Sequence, residues 1–154
     1  MIEYRAFKPA DAEKCRNLVL SYIGDATGLD PARAAKLGGW MVSEPREDLA
    51  EMFCIVAVCG GDVIGMGALD GGSIKRMYVS REYRRRGVGS EICRLLESQA
   101  RRRGLTSVHL VAYVNAVAFY EALGYKRIRN RDWLLDGATV GQTIMTKDIG
   151  LLPM

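Results

Sequence analysis

The chain alternates apolar and polar residues over short stretches that are separated by turns rich in glycine. Alternation with a period of two predicts strands that bury one face. Seven stretches are expected to be strands: residues 2–7, 53–59, 62–69, 74–79, 106–113, 125–131 and 141–147. Gly60-Gly61 predicts a hairpin between the second and third strands, and Asp136-Gly137 marks the turn region before the last.

In other stretches the apolar residues recur every three or four positions, which is the spacing of one helix face. Helices are expected from residue 9 to about 23, from 31 to the glycines at 38 and 39, at 45–52, from 88 to 103 and from 115 to 123. Asn115 is expected to cap the start of the last helix, and Gly124 to follow its end. Glu97 is expected on the outward, solvated face of the fourth helix.

Strand 74–79, the helix after it and strand 106–113 predict a right-handed crossover, which makes the two strands parallel. The hairpin and the C-terminal strands add antiparallel pairs. We therefore expect an α/β fold, with a mixed sheet of about seven strands and helices on both faces. A length of 154 residues suits one domain, which is expected to span residues 1–154.

Net charge, apolar runs and cysteine spacing exclude several classes of protein. The net charge is +4, from 22 basic and 18 acidic residues, which is too small to indicate a nucleic-acid partner by charge alone. No apolar run has the length of a membrane span, and the first residues lack the apolar core of a signal peptide, so no membrane partner is expected. The four cysteines form no Cys-x-x-Cys pair and have no accompanying histidine ligands, which favours reduced thiols, a cytoplasmic protein and no metal.

The basic segment from Arg84 to Ser90 lies between a predicted strand and a predicted helix. A turn with glycines at 87 and 89 before a helix start can hold phosphate through its backbone N–H groups. A Walker loop needs Lys followed by Ser or Thr after the second glycine, and here Ser90 follows Gly89 directly. A dinucleotide loop needs Gly or Ala where Ile92 stands. Taken alone, the segment is either a phosphate site or a solvated basic turn.

A second motif follows strand 106–113: Asn115, then Ala118-Phe119-Tyr120 and Gly124-Tyr125. Preceded in this order by Arg84-x-x-Gly87-x-Gly89, with a helix and a strand between them, it resembles the GCN5-related N-acetyltransferase (GNAT) superfamily. The resemblance is strong over residues 64–128 and weak elsewhere. It implies a mostly antiparallel sheet whose central parallel pair is splayed.

The same resemblance implies roles for individual residues. The strand before the loop would be bulged, so that its backbone pairs with the pantetheine arm of acyl-coenzyme A at Met77, Tyr78 and Val79. Asn115 would contact the pantetheine or its surroundings, and Tyr120 would lie near the thioester sulfur. The pyrophosphate would be wrapped, mainly by backbone N–H groups, at Arg84, Arg85, Arg86, Gly87, Val88, Gly89 and Ser90.

The implied activity is an N-acetyltransferase that moves an acetyl group from acetyl-CoA to an amine by direct attack. The backbone N–H of Met77 or Tyr78, freed by the bulge, would stabilise the oxyanion. Tyr120 would protonate the departing thiolate. Three alternatives stay open: a catalytically silent acyl-CoA sensor or partner-binding module, a nucleic-acid binder that uses the arginines, and a purely structural Tyr120 in the core.

The acceptor is expected to be a small-molecule or peptide amine, bound by residues 24–46 and 130–142 of a monomer or homodimer. The arginines near the last hairpin favour an acidic or neutral acceptor over a polycation. Trp40 either packs over the acceptor from a mobile loop or fills the edge of the core. His109 is either a base in the cleft or, more in keeping with its place on a strand, a surface residue. The candidate bases are a water on a backbone carbonyl, Glu44, Asp70, Asp132 and Asp136.

Overall fold

The structure is a computed structural model that describes residues 1–43 and 52–150. Seven strands form one sheet in the order β1-β2-β3-β4-β5-β9-β6, and two short strands, β7 and β8, form a separate hairpin. The strands are β1 Glu3–Ala6, β2 Phe53–Cys59, β3 Asp62–Asp70, β4 Ser73–Val79, β5 Ser107–Tyr113, β6 Lys126–Asn130, β7 Trp133–Leu135, β8 Ala138–Val140 and β9 Gln142–Asp148. The expected hairpin at Gly60-Gly61 and the antiparallel C-terminal pair are therefore confirmed.

Helices cover both faces of the sheet, as predicted. They are α1 Ala12–Thr27, α2 Pro31–Ser43, α3 Val88–Arg102 and α4 Val117–Ala122. The largest buried cluster packs α3 and α4 on one face, and α1 packs on the other face. None of the described helices is long and apolar enough to cross a membrane.

β4 and β5 are parallel and splayed, which confirms the expected crossover. Both strands have seven residues, yet Ser73 with His109 is the single register pair recorded between them. The other neighbouring strands of the sheet run antiparallel. A wedge therefore opens between the carboxyl end of β4 and the carboxyl end of β5, where ligands of open α/β sheets commonly bind.

β4 carries a bulge before this wedge. Its register against β3 shifts around Gly67, and Arg76 opposite has a φ of 57°, which an L-residue rarely adopts. Gly67 makes room for the bulge, because a Cβ there would collide with the Met77 sulfur and lie 2.6 Å from Cγ2 of Ile92. The glycine thus fixes how closely α3 approaches the bulged strand.

The prediction that the second helix ends at Gly38 and Gly39 is wrong, because α2 continues to Ser43. Gly38 is a packing residue: a Cβ there would lie 3.0 Å from Cδ2 of Leu20 on α1. α1 is also longer than predicted: it ends at Thr27 and is capped by Gly28, whose φ is 70°. The helix predicted at 45–52 and the candidate base Glu44 lie on residues 44–51, outside the described part of the chain, except for Met52, which is not helical.

Two expectations for single residues are corrected. Asn115 does not cap a helix, because it lies within the 3₁₀ turn Val114–Ala116 and α4 begins two residues later. Glu97 is not solvated and is only 6% exposed. Its carboxylate accepts hydrogen bonds from the Tyr125 hydroxyl at 2.8 Å and from Lys147 Nζ at 2.9 Å. A buried carboxylate is tolerated here because both of its oxygens have donors.

The turn at Asp136-Gly137 is confirmed, with φ angles of 49° and 81°. It joins β7 to β8, two strands of three residues each that are too short to show alternation in the sequence. Leu135 and Val140 of this hairpin pack against Ile23 of α1 and Leu37 of α2. The hairpin therefore forms a wall with α2, at the same end of the sheet as the wedge.

Candidate active site

Two cavities open at this end of the sheet and meet at shared side chains. The loop cavity, about 690 Å³, lies beside residues 84–90 and the start of α3. The tryptophan cavity, about 500 Å³, lies beside Trp40 and Trp133. Both are lined by Tyr22, Met77, Ala116 and Tyr120. One ligand in each cavity would therefore meet the other at Tyr120 and the bulge of β4.

Most of the site residues expected from the sequence lie together in the loop cavity. Tyr78 is an exception, because it lines the tryptophan cavity instead. Arg86 lines neither cavity, and its guanidinium lies 5.2 Å from the centre of the Tyr83 ring. The expected residues that line the loop cavity are Met77, Val79, Arg84, Arg85, Gly87, Val88, Gly89, Ser90, Asn115 and Tyr120.

The loop presents free backbone donors to its cavity. Arg85 and Gly87 have φ angles of 63° and 78°, so the chain turns sharply before α3. The first bond of the helix runs from the N–H of Glu91 to the carbonyl of Gly87, at 3.0 Å. The N–H groups of residues 88–90 precede it and have no acceptor within the helix. Aligned donors at a helix start bind phosphate and carboxylate groups.

Asp25, near the end of α1, binds Arg81 and Arg84, and no sequence motif predicted a role for this residue. Its carboxylate accepts hydrogen bonds from Arg81 at 2.8 Å and from Arg84 at 2.9 Å. Its backbone carbonyl accepts a bond of 2.8 Å from Asn115 Nδ2. The hydrogen bonds from Arg81 and Arg84 lower the pKa of Asp25. Asp25 therefore joins α1 to the loop and to the turn before α4.

The Asp25→Asn variant is expected to be about 1 kcal/mol less stable than the wild type at pH 7. Because the pKa of Asp25 is lowered in the folded chain, its contribution is present above its unfolded pKa of about 4 and is lost as the pH falls through the lowered folded value. Urea unfolding of both proteins at pH 7 and pH 3 measures the difference, which should shrink on acidification. A difference that stays constant would show that the carboxylate charge is not what stabilises this contact.

Tyr120 lies where the two cavities meet. Its side chain is 6% exposed, and its ring centre lies 5.7 Å from that of Tyr125. No hydrogen bond joins the Tyr120 hydroxyl to another described residue. Every fully buried polar side-chain atom of the described residues has a hydrogen-bond partner, so this hydroxyl is not fully buried and is open to the cavities. Burial raises the pKa of Tyr120 well above its ordinary value. At neutral pH the hydroxyl is therefore protonated and can donate.

The tryptophan cavity is lined on one side by α2 and by Trp133 of the β7–β8 hairpin. Trp40 and Trp133 stack with ring centres 6.4 Å apart and planes 15° from parallel. Lys36 of α2 forms an ion pair of 2.9 Å with Asp136 of the hairpin turn. Trp40 thus lies on a helix, and the expectation that it belongs to a mobile loop is wrong. Trp40 and Trp133 both line this cavity and fall within residues 24–46 and 130–142, where acceptor binding stays a prediction.

The remaining candidates for acid–base chemistry lie away from both cavities. Asp70 forms an ion pair with Lys75, Asp132 accepts a bond from the N–H of Gln142, and Asp136 binds Lys36. None of these three carboxylates lines either cavity. His109 is exposed on β5 and also lines neither, which supports the surface interpretation.

The cysteines are free thiols and three of them are buried. Burial raises the pKa of Cys15, Cys54 and Cys93 to about 12, so these groups stay protonated and weakly nucleophilic. Across residues 1–43 and 52–150, no three side chains of His, Cys, Asp or Glu are grouped as metal ligands would be.

Known proteins share this architecture. A protein described as a GCN5-related N-acetyltransferase from Rhodopseudomonas palustris has a TM-score of 0.79 at 23% identity, covering 95% of this chain and 94% of its own. The PaiA N-acetyltransferase of Thermoplasma acidophilum, solved in complex with coenzyme A, has a TM-score of 0.78 at 16% identity, covering 96% and 99%. Likeness at these identities shows a common fold.

Sequence relatives match over a shorter length. A Bacillus subtilis (strain 168) protein named as an acetyltransferase is 33% identical over 76 residues, which are 49% of this chain and 50% of that protein. Probable N-acetyltransferase 14 of Xenopus tropicalis is 37% identical over 79 residues, which are 49% of this chain and 37% of that protein. The matched region spans half or less of the length of these curated relatives.

The family comparison covers the site itself. The model of the Acetyltransferase (GNAT) family matches residues 27–125, which include the bulged strand, the loop before α3 and Tyr120. The splayed pair β4 and β5, which the resemblance implied, lies within the same range. On this evidence the chain belongs to the acetyltransferase (GNAT) family.

Proposed function

We propose that this chain transfers an acetyl group from acetyl-CoA to the amine of a small acceptor. The observation that carries the proposal is the junction of the two cavities at Tyr120 and Met77. The loop cavity ends at free backbone donors suited to phosphate, and the tryptophan cavity lies apart from these donors. A transfer reaction needs one binding site for each of its two substrates and a point where the two substrates meet. Binding of a single ligand needs only one site.

Acetyl-CoA would lie in the loop cavity with its pyrophosphate on the N–H groups of residues 88–90. Arg85 lines the same cavity and adds positive charge, beside Arg84, whose charge is shared with Asp25. The pantetheine amides would pair with the backbone of Met77, Tyr78 and Val79, because β5 has splayed away from this end of β4. The fold shared with the Thermoplasma protein that was solved with coenzyme A supports this placement.

The chemistry would be direct attack by the neutral amine on the thioester carbonyl. A backbone N–H at the bulge, that of Met77 or Tyr78, would stabilise the negative charge on the carbonyl oxygen. The C–N bond forms, the C–S bond breaks, and the Tyr120 hydroxyl would donate its proton to the departing thiolate. The proton lost by the amine would return to Tyr120 through water. No described carboxylate outside Asp25 lines either cavity, which favours water as the proton carrier.

Thermal unfolding with acetyl-CoA and a thiol assay for released coenzyme A test the proposal together. Acetyl-CoA at about 100 times its Kd should stabilise the fold by about 2.7 kcal/mol, which raises Tm by about 5–10 °C. Addition of an accepted amine should then release coenzyme A. A Tm shift without release for any amine in a broad panel would favour a silent sensor, and no Tm shift at all would overturn acetyl-CoA as the donor.

A further inference from the structure

The side chain of Arg84, the first residue of the loop, is bound within the protein. Its Nη1 donates a hydrogen bond of 2.9 Å to the Asp25 carboxylate, and its Nε donates one of 3.3 Å to the backbone carbonyl of Val79. Its guanidinium also lies 5.5 Å from the centre of the Tyr22 ring. The Arg84 side chain therefore links the end of β4 to α1, and two of its nitrogens already have acceptors.

The residue after Arg84 has a strained backbone. Arg85 has a φ of 63°, in the left-handed region that residues with a Cβ rarely adopt, and Gly87 has a φ of 78°. A strained conformation of this kind persists where the surrounding contacts hold it. Arg84 itself is extended, with φ of −68° and ψ of 154°, and its side chain is bound at two nitrogens. The contacts of Arg84 therefore fix the direction in which the chain enters the turn that presents the free N–H groups.

Asp25 places a carboxylate in the wall of the loop cavity. Its side chain is 32% exposed and lines the cavity beside the free N–H groups of the loop. A negative charge at this place repels a phosphate-bearing ligand, so Coulomb energy alone makes Asp25 unfavourable for donor binding. What Asp25 contributes instead is the acceptor that binds Arg84, together with a second bond of 2.8 Å from Arg81.

The backbone of Asp25 makes a second link to the wall of the same cavity. Its carbonyl accepts a hydrogen bond of 2.8 Å from Nδ2 of Asn115, which also lines the loop cavity. The cap of α1 lies against the same amide, since a Cβ at Gly28 would be 3.5 Å from that Nδ2. An Asp25→Asn variant keeps this backbone link and loses only the carboxylate charge, so it isolates the contact with the arginines.

We propose that Asp25 is a positioning residue for acetyl-CoA: through Arg84 it holds the loop in the conformation that presents its N–H groups to the pyrophosphate. This inference rests on the proposed function, which makes acetyl-CoA the donor. Asp25 does not touch the phosphates, and Arg84 acts through its bonds to Asp25 and Val79. Contact with the phosphates belongs to the N–H groups of residues 88–90 and to Arg85.

The direction of one change in affinity separates positioning from simple charge. Asp25→Asn removes a negative charge from the cavity wall and weakens the hold on Arg84, so charge alone predicts tighter binding of acetyl-CoA. Positioning predicts weaker binding, because an amide accepts weaker hydrogen bonds than a carboxylate and the loop then leaves its binding conformation. If that conformation falls to about one-tenth of the population, the apparent affinity falls about tenfold.

Glu82→Gln is the matched control, because it makes the same chemical change two residues before Arg84. Glu82 is exposed, lines neither cavity and forms no ion pair with a described residue. Its loss of charge should leave acetyl-CoA affinity unchanged or slightly raised. Arg84→Gln should weaken binding, and the double variant of Asp25→Asn with Arg84→Gln should bind no more weakly than Arg84→Gln alone, because the same contact is already lost.

Calorimetric titration with acetyl-CoA at pH 7 and constant ionic strength measures the affinities, and steady-state kinetics at saturating acetyl-CoA measure kcat. We expect Asp25→Asn to bind about tenfold more weakly while its kcat stays within about threefold of the wild type, a separation that general loss of structure would not produce. Tighter or unchanged binding by Asp25→Asn, or a further loss in the double variant, would overturn the inference while the proposed function stands. Binding by the wild type without transfer to any amine would overturn only the proposed function, and no binding of acetyl-CoA by the wild type would overturn both.

Discussion

The Ser90→Asp variant is expected to lose at least about 100-fold in acetyl-CoA affinity while its free form becomes more stable than the wild type. Ser90 is exposed in the first turn of α3 and lines the loop cavity. A carboxylate in a first helical turn stabilises the helix by about 0.3–1 kcal/mol. The same carboxylate would face the pyrophosphate, and two unit charges about 4 Å apart near a protein surface repel by about 4 kcal/mol.

Ser90→Asn is the matched control, because it has nearly the shape of the aspartate without its charge. Calorimetric titration with acetyl-CoA and thermal unfolding of the free proteins measure both effects. The asparagine variant should bind within a few-fold of the wild type. Equal binding by the aspartate and asparagine variants would mean that the phosphates do not lie at the start of α3.

Tyr120→Phe is expected to lower kcat about 100-fold with little change in acetyl-CoA affinity. The hydroxyl is open to the cavities and is protonated at neutral pH, so its loss would remove the proton donor that we propose for the thiolate. The aromatic ring remains, which keeps the packing with Tyr125. Steady-state kinetics with saturating amine and calorimetric titration with acetyl-CoA separate the two quantities.

Tyr125→Phe serves as the control for the same chemical change in the same cluster. The Tyr125 hydroxyl donates to Glu97 and lines neither cavity. Its removal should cost about 1.5–3 kcal/mol of stability, because the hydrogen bond is to a charged group, and leave turnover near that of the wild type. If Tyr120→Phe turned over as fast as Tyr125→Phe, Tyr120 would be a core aromatic and not the acid.

The sequence predicts the strands and the turn before α3 well because their signals are local. Alternation defines strand faces over a few residues, and Gly87 adopts the φ of 78° that its own turn requires. Gly38 shows where local reasoning fails. A glycine in a helical pattern predicts the end of the helix. Gly38 instead lies within α2 and accommodates the close approach of Leu20 from α1, a contact that only the folded chain reveals.

The residues missed in the site act through contacts distant in sequence. Asp25 meets Arg81 and Arg84 across more than 50 positions, at the end of a helix that the sequence predicted to be shorter. The helical pattern predicts that Glu97 is solvated, whereas in the folded chain its carboxylate is buried and binds Lys147 and Tyr125. The tryptophan cavity likewise combines residues of α2, β4 and β7, so its lining is visible only after folding.

Transfer of a labelled acetyl group tests the central claim most directly. The protein is incubated with acetyl-CoA that carries ¹³C in the acetyl group and with an accepted amine, and the products are identified by mass spectrometry. The account predicts free coenzyme A and the N-acetyl amine with the label in equal amounts, formed in proportion to enzyme and about 100-fold more slowly by Tyr120→Phe. Coenzyme A released without labelled amide, or no turnover by a protein that binds acetyl-CoA, would contradict it.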